Sequence, residues 1–446
     1  MNRVGSKCFF SHLLVLCVAL ALAVLNACDS GTDANAAVAL TSSSKSKSSS
    51  SKKAYPDSFK PNDKEYPYAN IPRIVIYTKN QQKIEDRETE IPAKLQIWGK
   101  EEAESEIKSL TIRGRGNSSW TDMPKKSYKI EFEKKQSLLG MPKDKDWALI
   151  ANYADKTLMR NYIAYRLSAT LGAYYAPRSE FAELYLNGEY LGVYLITETV
   201  KIAENRINIP KNESSYIVEF DGKYRAGELV FFSDVLTANN KGKAFRVHDP
   251  KNATDEVLDS IQIHVQNFER YLKTINSDID NNVDEWIDVE ESIKHYWVQE
   301  LTKNPDAEFC ISVFFSWVRG ETIKLGPVWD FDLAFGNHKN EKINNVENWY
   351  MRKYWYLFLF NDEMYKERSY EFWNLNHTLF IGVLDSIEVN GIKLNKAAKN
   401  NFKRWKILEK ENQLLRKSYQ SYENAVADLK VWVEQRIQWI ENQFKK

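Results

Sequence analysis

Near residue 250 the spacing of apolar side chains changes, and that change restricts the possible folds more than any other feature of the chain. Before it, short runs rich in β-branched and aromatic residues read as strands: Ile74 to Tyr77, Ala93 to Trp98, Ser109 to Arg113 and Ser127 to Phe132. In the last of these Tyr128, Ile130 and Phe132 fall on one face, the period of two that a half-buried strand requires. Phe181 to Leu186 and Tyr190 to Ile196 flank Asn187-Gly188, a pair that tolerates the positive φ of a tight hairpin turn. Ser215 to Phe220 reads as one more strand, and Thr157 to Leu171 as a helix stopped by Gly172. After the change, Thr254 to Thr274, Val283 to Lys303, Glu363 to Ile387 and Asn412 to Phe444 carry helical spacing. The expectation is an α+β fold in two lobes. A β-rich lobe covers 62–245, and a mostly helical one with a C-terminal helical extension covers 246–446.

The chain ahead of these lobes reads as an address. Arg3 and Lys7 precede an apolar run from Leu13 to Leu25, so residues 1–27 have the pattern of a cleaved signal peptide rather than a span. Leu25-Asn26-Ala27-Cys28 resembles a bacterial lipobox. That resemblance implies acylation of Cys28 and a lipid anchor in a bacterial membrane, outside the cytoplasm. Residues 28–61, dominated by Ser and Lys, bury too little apolar surface to fold and are expected to form a flexible stalk.

Composition removes several classes. Hydrophobic residues at 43% and aromatics at 13% support a large core, which excludes a wholly disordered chain. A net charge of +1 argues against nucleic acid as a partner. Cys8 and Cys17 fall in the signal segment, so the mature chain has no disulfide framework. The six histidines show no zinc-type pairing, and no Gly-x-Ser-x-Gly elbow is present.

Three motifs remain. In Gly326-Pro327-Val328-Trp329-Asp330-Phe331-Asp332, an extended backbone would turn Asp330 and Asp332 to the same side, a hard oxygen pair suited to Mg²⁺. Asn304-Pro305-Asp306 ends a helix, and Asp306 stands 24 residues before Asp330. A catalytic Asp followed by a metal-binding Asp is the order found in protein kinases, although Asn-Pro-Asp is equally a helix-stopping turn. Third, Arg113-Gly114-Arg115-Gly116 with its following hydroxyls offers backbone N–H groups and Arg115 to phosphates, or else forms a turn with a solvated basic rim. Downstream, Lys126 shares the face of Tyr128 and Ile130, toward the core, while Lys125 and Lys129 point away. A lysine on the buried side is where a phosphate-pairing ammonium belongs.

With these runs and Asp146 to Asp155, Thr157 to Asn161 and Glu183 to Tyr194, the sequence resembles the CotH family of atypical spore-coat-type protein kinases over roughly 70–340. The resemblance implies a protein-kinase-like fold using ATP with Mg²⁺ or Mn²⁺ to phosphorylate Ser/Thr in a protein substrate. It implies Asp306 as catalytic Asp, Asp330 as metal ligand and Asp332 as its helper. Lys126, or failing it Lys125, would pair the phosphates, Trp329 would stack on the adenine, and Ser312 sits where a second metal ligand is expected. His248-Asp249-Pro250 departs from the family, which more often has Lys before the Pro. The rival expectations are an inactive surface scaffold that keeps this fold, and a carbohydrate-binding surface module.

Overall fold

The computed structural model describes residues 53–237, 242–275, 282–413 and 415–445. The signal segment, Cys28 and the Ser-rich run lie outside the described residues. Residues from Ala54 onward belong to one compact unit. Phe59 is buried against Val75, Tyr185 and Tyr190, so the expected stalk ends earlier than residue 61.

Seven strands close into a barrel: β1 (Arg73–Thr78), β2 (Ile91–Trp98), β3 (Lys108–Arg115), β4 (Ser127–Leu138), β5 (Met141–Ile150), β6 (Ser179–Leu186) and β7 (Glu189–Glu198). Their order is β1-β2-β3-β4-β5-β7-β6, and β1 pairs in parallel with β6 to close the ring. The alternation read from the sequence fills its interior: Ile74, Ile76, Leu95, Ile112, Ile130, Trp147, Leu184 and Ile196 are buried together. A short α1 (Ser118–Thr121) follows β3, and α2 (Arg160–Thr170) lies between β5 and β6. The β6–β7 turn has φ 52° at Asn187 and 83° at Gly188, the positive pair its sequence demands.

The second sheet has the order β12-β11-β8-β10-β9. It takes β8 (Ser215–Phe220) and β9 (Val230–Ser233) from one side of the expected break, β10 (Lys243–Asp249) from across it, and β11 (Val313–Val318) and β12 (Lys324–Leu325) from the other side. The boundary expected at 245/246 therefore falls inside β10. The remaining helices are α3 (Asp255–Thr274), α4 (Val289–Thr302), α5 (Glu341–Asn344), α6 (Trp355–Leu359), α7 (Glu363–Leu375), α8 (His377–Arg404) and α9 (Tyr422–Phe444); α3 and α4 touch this sheet, whereas α8 packs on β7 of the barrel and on α9. The expected helix over 363–387 is two helices, because the chain breaks at Asn376. Among the described residues no helix is long and apolar enough to cross a membrane.

Candidate functional site

Two loops build the site. The first leaves α4, whose residues are almost all buried, at Lys303. There the backbone turns left-handed, with φ 47°, while the Lys303 ammonium donates to the carbonyls of Asn345 and Glu347 at 2.5 and 2.9 Å. Asn304 then works in both directions: its side-chain oxygen accepts the Asp306 N–H at 3.2 Å, and its amide donates to the Asp330 carbonyl at 3.1 Å. The second loop, 326–337, is pinned by Phe335 N–H on the Thr302 carbonyl at 2.7 Å. Asn161 accepts the Phe331 N–H at 2.7 Å, and Asn337 donates to the Asp332 carbonyl at 2.6 Å. Arg160 donates through Nε to the Ala334 carbonyl at 3.2 Å and pairs with the buried Asp155.

The result brings three carboxylates together. Among the described residues, Asp306, Asp330 and Asp332 each offer an oxygen within 4.8 Å of the others, and all three are half-buried. The expected extended run is not how this happens. Asp330 has φ 64° and lies in no strand, so a left-handed turn, not the i, i+2 rule, turns the side chains inward. Burial, reinforced by the charge of Asp332, pushes Asp306 up to about 7. Asp330 is held well above the usual carboxylate range by burial and by the other two charges, and burial raises Asp332 as well. Three such groups resist ionising together unless a cation joins them. An all-oxygen donor set of this size fits Mg²⁺ or Mn²⁺.

Cations surround the cluster. Arg115, half-buried at the end of β3, acts on Asp330, and its guanidinium lies 4.9 Å from the Trp329 ring centroid. Lys223, whose backbone N–H is held by Asp221 at 2.8 Å, acts on both Asp330 and Asp306. Arg416 acts on Asp332 and Asp306.

The other expected site residues have partners of their own. Lys125, not Lys126, is the buried lysine: it is 1% exposed and donates to the Val193 carbonyl and to Asn401 on α8 at 2.9 Å. Lys126 is half-buried and donates to the Trp120 carbonyl. The face argument fails because β4 begins at Ser127, so its alternation does not extend back through Pro124-Lys125-Lys126. Trp329 is 6% exposed and already stacked on Tyr165, with centroids 5.6 Å apart, which leaves little ring for an adenine. Ser312 lies just before β11 with φ 58°, and its neighbour Ile311 donates to the Asp306 carbonyl at 3.4 Å. At the family departure, His248 meets the Val200 carbonyl at 3.0 Å, and Asp249 accepts the Ile202 N–H at 2.7 Å. The strand still carries a cation: Arg246 pairs with Asp221 at 2.8 Å and with Glu219.

Sequence reasoning missed Asp155, Arg160, Asn161, Asn304 and Asn337 as supports, and Lys223 and Arg416 as cations. The signal for the first group is a cluster of polar residues inside an apolar stretch, since an unpaired polar group is costly to bury. Lys223 and Arg416 stand in no local pattern.

The fold and site define a mixed α/β protein with an oxygen-donor cluster between two interlocked loops. The family model described as "CotH kinase protein" matches residues 112–440, and the chain belongs to that family. The match takes in α8 and nearly all of α9, well beyond the 340 at which the recognisable motifs stop. Inner spore coat protein H of Bacillus subtilis (strain 168) is 25% identical over 237 residues. That stretch is 51% of this chain and 59% of the relative, so the similarity spans less than two thirds of that protein.

Proposed function

We propose that the chain is a two-lobed, protein-kinase-like enzyme of the CotH type that transfers the γ-phosphoryl group of ATP to Ser/Thr of proteins outside the cytoplasm. The observation that carries this reading is the meeting of Asp306, Asp330 and Asp332 within 4.8 Å. In it a carboxylate from the end of α4 joins two from a later loop, the order a kinase uses. Asp330 and Asp332 would hold Mg²⁺ or Mn²⁺. Bound there, a divalent cation would offset charge on the phosphate oxygens. Asp306 would orient the substrate hydroxyl and take its proton. Arg115 and Lys223 would face the phosphates in place of Lys125 and Lys126. An acylated Cys28 on a Ser/Lys stalk would tether the enzyme to its membrane and within reach of protein substrates.

A second reading, a scaffold that binds no nucleotide, draws on the same structure. Trp329 is covered by Tyr165, and Lys125 is spent on the contact with α8. Calorimetric titration of the full chain with ATP, with and without Mg²⁺ or Mn²⁺, separates the two. Metal-dependent binding that vanishes in Asp330→Ala supports the kinase. No heat with any nucleotide leaves the scaffold.

A further inference from the structure

On the outside of the barrel, a cavity of about 420 Å³ lies between the β6–β7 hairpin, the chain at 62–66 and the end of α8. That is within the size range of small-molecule sites. It shares no lining residue with the acidic cluster. Its floor belongs to β6, where Glu183 and Tyr185 stand two residues apart and point outward, while Leu184 between them fills the barrel. Tyr190, opposite Tyr185 on β7, ties the two together. Its ring centroid is 5.2 Å from that of Tyr185, and its hydroxyl donates to Glu183 at 2.7 Å.

The walls are fastened to this floor from two directions. Tyr66 stacks on Tyr190 with centroids 4.1 Å apart. From α8, Asn400 donates to Glu183 at 3.0 Å and to the Pro67 carbonyl at 2.8 Å, and Lys403 donates to the Glu65 carbonyl at 2.7 Å. Arg404 donates through Nε to the Tyr190 carbonyl at 3.1 Å and pairs with Glu189. A site held this way has little left to order when a ligand arrives.

The floor nevertheless holds polar atoms that the protein does not satisfy. The Tyr185 hydroxyl is buried and has no hydrogen-bond partner among the described residues. The same holds for one Glu183 oxygen, Oε2, and for Nε of Arg73, which stands opposite Glu183 in the β1–β6 register. All three residues are at most 2% exposed. Their remaining polar atoms are engaged: Tyr190 and Asn400 use the other Glu183 oxygen, and Arg73 donates to Asp63 and to the carbonyls of Gly99 and Lys100. Buried groups left this way are costly, and native structures hold few of them. The set is one N–H donor, one acceptor oxygen and one hydroxyl that can do either. A simple cation offers nothing for Arg73 to donate to, and a simple anion offers no proton to Glu183. Vicinal hydroxyls supply both. At the rim, Asn62 adds an amide with the same double character. The barrel is closed, so it leaves no strand edge here for an extended peptide to join.

We propose that this cavity binds a neutral saccharide, whose hydroxyl groups meet Tyr185 and Glu183 at the floor and Asn62 at the rim. The inference goes beyond the kinase reading and does not rest on it.

The test is calorimetric titration of the full chain with three neutral trisaccharides (maltotriose, cellotriose and chitotriose) and with tetramethylammonium as a cationic control. At least one trisaccharide should bind, and tetramethylammonium should not. Tyr185→Phe should weaken that binding about tenfold, the scale of one hydrogen bond. The melting temperature of this variant without sugar should not fall, because the hydroxyl removed has no partner to strand. A purely structural tyrosine would not separate these two readings. Asn62→Ala, at the exposed rim, should weaken binding as well, and it carries the test if Tyr185→Phe does not fold. Asp330→Ala should bind the sugar like wild type, which keeps this site distinct from the acidic cluster. No heat with any of the three sugars, as an ordered water on these atoms would give, overturns the proposal. So does binding of tetramethylammonium in their place, or wild-type sugar affinity in both Tyr185→Phe and Asn62→Ala.

Discussion

Inside the barrel, Ile74, Ile76, Leu95, Ile112, Ile130 and Leu184 present only apolar surface to one another, with Trp147 packed among them. Around the acidic cluster, the buried residues include the polar Asp155, Arg160, Asn161, Asn304 and Asn337, and each ends on a particular backbone group or charge. The difference lies in how each region answers to change. Apolar packing is non-directional and can relax around a substitution. A buried hydrogen bond cannot, because removing one partner strands the other. The barrel is therefore built to be stable, and the loops are built to be placed.

Four experiments sharpen or break that contrast. The largest effect is expected from Asp306→Asn, which should lower phosphoryl transfer about 10²- to 10⁴-fold, the usual worth of a positioned acid–base group. Nucleotide affinity should stay near wild type, and the metal-free melting temperature should not fall. Retained transfer in a kinetic assay would remove Asp306 from its role. Next, Trp147→Ala, which empties a fully buried site in the barrel, should cost about 3–5 kcal/mol in denaturant unfolding. Its activity per folded molecule should be unchanged; a loss of specific activity at unchanged stability would break the comparison outright.

Asn161→Ala comes third. It leaves the Phe331 N–H without its acceptor and should cost about 1–3 kcal/mol, while weakening the melting-point response to Mn²⁺ disproportionately. The smallest effect is a pH slope. Asp306 and Asp330 are raised by folding, so the folded metal-free protein binds more protons than the unfolded chain above the ordinary carboxyl range. Stability should be greatest below about pH 4 as far as these groups are concerned, and fall as pH rises through about 7. Melting curves across that range should flatten when Mn²⁺ is added or when Asp330 is changed to Asn.

How much of this was legible follows the same division. The period-two runs located β1 to β4, and the Asn187-Gly188 turn located β6 and β7, because each depends on local pattern alone. β5 escaped because Pro142-Lys143-Asp144-Lys145-Asp146 reads as a polar loop although it pairs with β4. β11 escaped for the opposite reason: buried on both faces, it has no alternation to read, and it lies in the half expected to be helical. At the site, Asp306, Asp330 and Asp332 were legible as acids in kinase order. The left-handed turn that joins them was not, and neither was the exchange of Lys125 for Lys126 at a strand end. Those outcomes depend on partners far off in sequence, such as Asn401 for Lys125 and Asn161 for Phe331.

One of those distant partnerships sets a timetable. Glu300, in the helix that leads to Asp306, is fully buried, accepts the N–H groups of Tyr350 and Met351 at 2.8 and 2.7 Å, and finds its counter-charge in Arg436, 136 residues later on α9. A buried charge without its partner is strongly unfavourable. During synthesis the barrel strands emerge first and can pair among themselves. The ground beneath the acidic cluster stays unfinished until almost the last helix has arrived. A nascent or truncated chain would thus lack a finished acidic cluster by construction.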